Sequence, residues 1–291
     1  MTTAATGSRK TWVPYALIAP SVLFLGLLFV VPLVQTIWLS FSGEAAGGGL
    51  SLDNYRRMVG DLNFLKALGD TLLLAVVVVP IQLVLALWMA TLVGKLGRGR
   101  DLVLWVWTIP LGISDLAAGL VWLAILQNSG YFNSLLYGLG LISHRANWLT
   151  YETPVALFCA IVLAETWRAT AIVLVILVAG FQLIPKEFGE AAEIFGAGRW
   201  TRFRKVTLPL LRPSLQSALI LRTVLAFEVF AVVYALGGRN FPILVGEAFN
   251  WQSNNQDYGV AAAYAVLIMV ISLAATGFYL VAIRVDPERL P

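Results

Sequence analysis

Five charged residues sit inside stretches that are otherwise almost wholly apolar: Asp115, Glu165, Arg168, Arg222 and Glu228. A bare charge in such surroundings is costly, so each needs a counter-charge or a task. Glu165 and Arg168 stand three residues apart, which puts them on one face of a helix and lets them pair. Arg222 and Glu228 are six apart and need partners on other helices. The functional reading is the non-covalent handling of a polar solute along a pathway. Glu165-Thr166-Trp167-Arg168 sets a carboxylate, a hydroxyl, an indole and a guanidinium side by side. A hydroxyl-rich ring calls for that mixture: hydrogen-bonding groups for its hydroxyls and an aromatic plate for its apolar face. Trp167 is the first candidate contact, with Glu165 and Arg168 beside it. Arg222, Phe227 and Glu228 come next, then Ser114 and Asp115. Trp122 reads as ordinary packing. The structural reading is that the same charges are pairs that only hold helices together. The two guanidiniums would also suit a phosphate-bearing solute.

The elements that must position these residues follow from composition. Of 291 residues, 59% are hydrophobic and 12% charged, and the mean hydropathy is +0.82. Soluble domains carry roughly 25% charged residues. The chain is expected to be an all-α, polytopic membrane protein with one membrane domain. A span needs about 20 apolar residues, and six stretches qualify: about 13–39, 71–93, 102–126, 154–181, 213–236 and 258–283. Arg9-Lys10 followed by an apolar run resembles a signal peptide. The charge-free stretch 11–43 is too long for one, so it reads as an uncleaved first span. Of the 20 Lys and Arg residues, thirteen fall on the side of the N-terminus, five on the other side and two within spans. Cytoplasmic segments collect Lys and Arg. The bias therefore places both termini (1–12 and 284–291) and the loop 184–212 in the cytoplasm. The opposite loops, 42–66, 127–153 and 237–257, are too short to form independent domains. Trp and Tyr near the span ends fit interfacial anchoring. One cysteine, Cys159, excludes an internal disulfide and reads as a packed side chain. One histidine, His144, leaves no histidine-based metal site.

One stretch of the long loop is not a span. Pro185 is suited to the first turn of a helix, where its missing N–H costs nothing. Glu187 and Glu190 fall near the positive helix end, and Gly196 and Gly198 can end the helix. Phe188, Ala191, Ala192 and Phe195 lie at i, i+3, i+4 and i+7, forming one apolar stripe flanked by Glu190 and Glu193. A helix of about ten residues is marginal alone in water and needs a surface to lie on. That surface could be the membrane, the chain's own bundle or another body. Gly94-Lys95-Leu96-Gly97-Arg98-Gly99 is a basic turn, not a phosphate loop of the G-x-x-x-x-G-K-[ST] type, so the chain is not its own ATP-driven engine.

Glu190-Ala191-Ala192, Gly196 and Leu208-Pro209, flanked by Ile184-Pro185-Lys186-Glu187 and Gly196-Ala197, resemble the EAA loop of permease subunits of binding-protein-dependent ABC importers. The closest likeness is to the sugar-permease branch, the maltose, glycerol-phosphate and trehalose transporters. That branch has Asp before the glycine, where this chain has Phe195. The likeness covers nearly the whole chain, since six spans and the loop's place between spans four and five agree with it. The resemblance implies a type I importer permease fold with a cytoplasmic coupling helix seated in a cleft on an ATPase subunit. By that likeness Glu187, Glu190, Ala191, Ala192, Gly196, Leu208 and Pro209 form the ATPase contact and its turn, docking as a helix in a groove. It also implies the partners: a second permease subunit, two cytoplasmic ATPase subunits, an extracytoplasmic solute-binding protein, the lipid bilayer and a sugar, with no nucleic acid. No cofactor would be bound by this chain, because ATP and Mg belong to the ATPase subunits. The chain would be a non-catalytic subunit in a bacterial or archaeal cytoplasmic membrane. An ion-coupled secondary transporter would also use buried charges, but it gives the EAA loop no role. A membrane enzyme lacks a His or Cys cluster here. A phosphorylated polyol such as glycerol phosphate stays open as cargo.

Overall fold

The computed structural model describes residues 12–43 and 49–283. The terminal segments assigned to the cytoplasm, with Arg9, Lys10, Arg284 and Arg289, lie outside the described residues. Fifteen α-helices follow one another. The first apolar stretch is α1 (Val13–Leu25), a π-turn Gly26–Val30 and α2 (Val31–Ser40). Short α3 (Asp53–Val59) leads into α4 (Phe64–Val93). Then come α5 (Arg100–Thr108), a 3₁₀ turn Ile109–Gly112, α6 (Asp115–Leu126) and α7 (Tyr131–Gly138). The long α8 (Pro154–Gln182) precedes α9 (Lys186–Ile194). Next are α10 (Arg199–Arg202), a π-turn Phe203–Thr207, α11 (Leu208–Leu210) and α12 (Arg212–Phe227). The chain ends in α13 (Ala231–Gly237), α14 (Leu244–Ser253) and α15 (Tyr258–Ala282).

Four helices are long and apolar enough to cross a membrane, and two bent pairs raise the number to six. Spans three and five, expected as continuous helices, are broken, by 96° between Arg100–Gly112 and Asp115–Gly138 and by 46° after Phe227. The first break has local causes. Pro110 and Gly112 end the α5 run, Ile113 is extended, and the Ser114 hydroxyl caps α6 by accepting from the Ala117 N–H at 3.2 Å. Asp115 then sits in the first turn of α6, where the helix dipole favours a carboxylate. The second break, Glu228-Val229-Phe230, contains neither glycine nor proline. Span two begins earlier than expected, at Phe64, and takes Lys66 and Asp70 into its first turns. The loops opposite α9 hold helices α3, α7 and α14.

Both π-turns lie just ahead of an apolar-Pro step, Val31-Pro32 and Leu208-Pro209. Proline removes a backbone donor and crowds the carbonyl one turn back, and a widened turn there relieves the crowding.

In lipid, apolar side chains gain little by leaving their solvent, so helices associate through close packing of small residues. Ala86, Ala118, Ala164 and Ala263 are fully buried. At Gly180 a Cβ would lie 2.2 Å from Ser214 Oγ, so α8 and α12 touch almost backbone to backbone. Three apolar clusters result. One, built on Ala90, Leu174, Leu177 and Leu211, lies at the end that carries α9. The other two lie toward the opposite end, around Phe64, Val260 and Tyr264 and around Leu157, Ile161 and Val232. At that far end Asn54 donates to the carbonyls of Leu39, Ser40 and Ser42 that α2 leaves unpaired. Arg57 pairs with Asp257 and lies 5.7 Å from the centroid of the Trp251 ring.

Candidate functional site

Between the apolar clusters lies a polar layer. Three long helices each place a polar residue at the same level. On α4 it is Gln82, between Val79 and Ala86. On α8 it is Glu165, beside Ala164. On α12 it is Arg222, between Ala218 and Ala226. Glu165 and Gln82 are fully buried and Arg222 is 1% exposed. Arg222 Nη2 donates to Glu165 Oε1 at 2.6 Å, and Arg168 Nη2 donates to the same oxygen at 3.1 Å. Gln82 accepts from Arg222 Nε and donates to the Glu165 carbonyl at 2.9 Å. Arg168 then reaches Asp115, at the start of α6, at 2.8 Å. One connected network therefore ties α4, α6, α8 and α12 together. It contains two carboxylates and two guanidiniums, so its charges balance.

Satisfaction is incomplete. Glu165 Oε2, Arg222 Nη1, Arg168 Nε and Thr166 Oγ1 are buried with no hydrogen-bond partner among the described residues. Toward the α6 side the layer opens: the Asp115 side chain is 49% exposed and that of Arg168 18%. Trp167 is 37% exposed and meets Trp122 edge to face at 6.1 Å. Ser114, Asp115, Trp167 and Arg168 thus line one open edge, whereas Glu165 and Arg222 are sealed behind it. Phe227 is instead packed in the apolar cluster with Tyr264. Glu228 stands exposed at the bend after α12, with no ion pair among the described residues. Gln82 was not singled out in the sequence, although it is the lone amide in a long apolar run.

The second candidate region is α9. Pro185 is its N-cap, and Glu187 lies in its first turn. Its C-terminus is closed by a left-handed Gly196, φ +76°. The Ala197 N–H reaches the Ala192 carbonyl and the Gly196 N–H the Glu193 carbonyl, both at 2.9 Å, the paired bonds of a Schellman cap. Arg202 Nη1 pairs with Glu193 at 2.6 Å and holds α10 against α9. No residue of α9 is buried. Glu187, Glu190 and Ala191 are exposed, and Ala192 is half-buried. Phe188 is 46% exposed and Phe195 88%. The predicted apolar stripe therefore exists and has nothing against it. Leu208 packs on the apolar cluster at this end, and Pro209 follows the π-turn.

A finished amphipathic helix with a bare stripe, below a charge-balanced layer in a helical bundle, coincides with a family match. The model of the binding-protein-dependent transport system inner membrane component matches residues 82–284.

The chain belongs to that family.

The match begins at Gln82 and takes in the whole polar layer and α9. The trehalose/maltose transport system permease protein MalF of Thermococcus litoralis is 33% identical over 282 residues, 94% of each chain. The sn-glycerol-3-phosphate transport system permease protein UgpA of Agrobacterium fabrum is 30% identical, over 91% of this chain and 92% of that one. A crystal structure of a bacterial ABC transporter involved in the import of the acidic polysaccharide alginate aligns with a TM-score of 0.79. It covers 94% of this chain and 95% of that one at 20% identity, which speaks for a shared fold. The chain is a membrane subunit of a binding-protein-dependent ABC importer, with the fold of such permeases.

Proposed function

We propose that this inner-membrane component forms half of the translocation path of a sugar importer and is driven through α9 by ATPase subunits that carry ATP and Mg. A second permease subunit completes the path, and an extracytoplasmic binding protein delivers the solute to the end opposite α9. The termini and α9 face the cytoplasm, in keeping with the Lys and Arg bias. The chain itself performs no covalent chemistry. The observation that carries this reading is the bare stripe of α9: a capped amphipathic helix with every residue outside the core in a family that works with other subunits. Glu190, Ala191 and Ala192 would enter a groove on the ATPase, the alanines permitting close approach. Relatives named for disaccharides and for glycerol phosphate support a polyhydroxylated cargo.

The test is reconstitution of the complete transporter with its binding protein in liposomes. Sugar uptake should require ATP inside. Glu190→Ala should weaken ATPase co-purification and lower ATP-driven uptake together. Uptake without ATP, or a Glu190→Ala transporter unchanged in both assays, would overturn the proposal.

A further inference from the structure

At the end opposite α9, between α13 and α14, lies a cleft of about 420 Å³. It belongs neither to the polar layer nor to the open edge at Trp167. Three of its walls are aromatic. Phe230 lies 5.2 Å from Tyr234 and 5.1 Å from Phe249, and Tyr234 meets Phe249 edge-on at 6.2 Å. Tyr234 is 50% exposed and Phe249 42%. Glu247 also lines the cleft. It is 6% exposed, and its Oε2 is buried without a partner among the described residues. Arg239, exposed at the rim, donates to Asn250 Oδ1 at 2.7 Å.

Exposed rings beside a buried, unpartnered carboxylate have no structural use evident within the chain. A buried acceptor left unmade is costly, and an aromatic wall offers an apolar face and little else. A ligand that satisfies both has hydroxyl donors on one side and C–H groups on the other. An anion would have to sit beside the unpaired Glu247, while Arg239 is already engaged. Burial, and after it the negative charge of Asp61, push the Glu247 carboxyl above its ordinary range, with Arg239 acting the other way. A group held toward its neutral form suits a neutral partner.

We infer that the α13–α14 cleft is a second carbohydrate subsite, which takes the ring of a neutral sugar on Tyr234 and Phe249 with a hydroxyl on Glu247. The inference rests on the sugar-importer reading and sharpens it. The cleft is a mouth site, apart from the mid-bundle layer, and it selects against phosphorylated cargo.

The experiment is saturation-transfer NMR on the complete transporter in nanodiscs, with trehalose, maltose and sucrose as probes and sn-glycerol 3-phosphate as the anionic comparison. Saturating aromatic protons should reach the ring protons of at least one neutral sugar and not those of glycerol phosphate. Tyr234→Ala and Phe249→Ala should each weaken sugar binding about three- to tenfold. Glu247→Gln, which keeps the shape, should weaken it about tenfold. Transfer to the neutral sugars that all three variants leave unchanged would overturn the inference, as would transfer to glycerol phosphate alone. ATP-driven sugar uptake is measured on the same preparations. Absent uptake in the wild type would sink the importer reading, whereas normal uptake with variant-insensitive transfer would sink only the cleft.

Discussion

Glu165→Gln is the sharpest perturbation of the polar layer. Glu165 is the only carboxylate in contact with the sealed Arg222, and its Oε1 serves Arg222 and Arg168 at once. Making it neutral leaves Arg222, 1% exposed, with only the Gln82 amide. Removing one partner of a buried ion pair costs about 3–5 kcal/mol, because the other charge stays buried. Arg222→Met should cost less, since Glu165 keeps Arg168 at 3.1 Å. Asp115→Asn should cost least, about 0–1 kcal/mol, because the Asp115 side chain is 49% exposed. The double variant Glu165→Gln/Arg222→Met retains the balanced Asp115–Arg168 pair and should recover most of the loss, as paired removal of buried charges often does. The assay is an SDS unfolding titration of the reconstituted protein, followed by the fluorescence of its ten tryptophans. The reasoning is refuted if Glu165→Gln costs no more than Asp115→Asn, or if the double variant is worse than Glu165→Gln alone.

Gly196→Ala forces a side chain into a left-handed position, φ +76°, at a cost of about 1–2 kcal/mol. It should loosen the end of α9, and amide exchange at Gly196 and Ala197 should speed up while the bundle stays protected. Gly180→Ala places a Cβ 2.2 Å from Ser214 Oγ; about 1–3 kcal/mol should be lost in the same SDS titration and partly regained by adding Ser214→Gly. The raised Glu247 carboxyl makes a pH prediction of definite sign. The folded state holds the proton more tightly than the unfolded chain, so Glu247 favours folding at low pH and loses that advantage as pH rises through its folded value. Glu247→Gln should therefore raise the melting temperature at neutral pH, and the gain should vanish at acid pH.

Much of this was legible in the sequence because a membrane narrows the choices. Runs such as Tyr258–Ala282 and Pro154–Gln182 can only be helices in lipid, and both lie within a residue of their expected bounds. The helix over 186–194 was legible from its stripe and its glycine. The 46° bend after Phe227 was not, because hydropathy averages over a window and is blind to direction. The pairing of the buried charges was half visible. Glu165 with Arg168 follows from a three-residue spacing, whereas Arg222 with Glu165 depends on how α8 and α12 meet at Gly180 and Ser214. Phe227 and Glu228 are neighbours in sequence with opposite fates, one packed and one exposed, because the helix ends between them.

The polar layer also bears on the membrane potential. A lone elementary charge carried across a field of 100 mV exchanges about 2.3 kcal/mol with it. Asp115 with Arg168, and Glu165 with Arg222, are each neutral couples. Whether the layer moves as one body or parts between the couples, no net charge crosses the field. A transport cycle built on this layer is electrically silent there, and its rate answers to the nucleotide cycle and the solute rather than to the voltage.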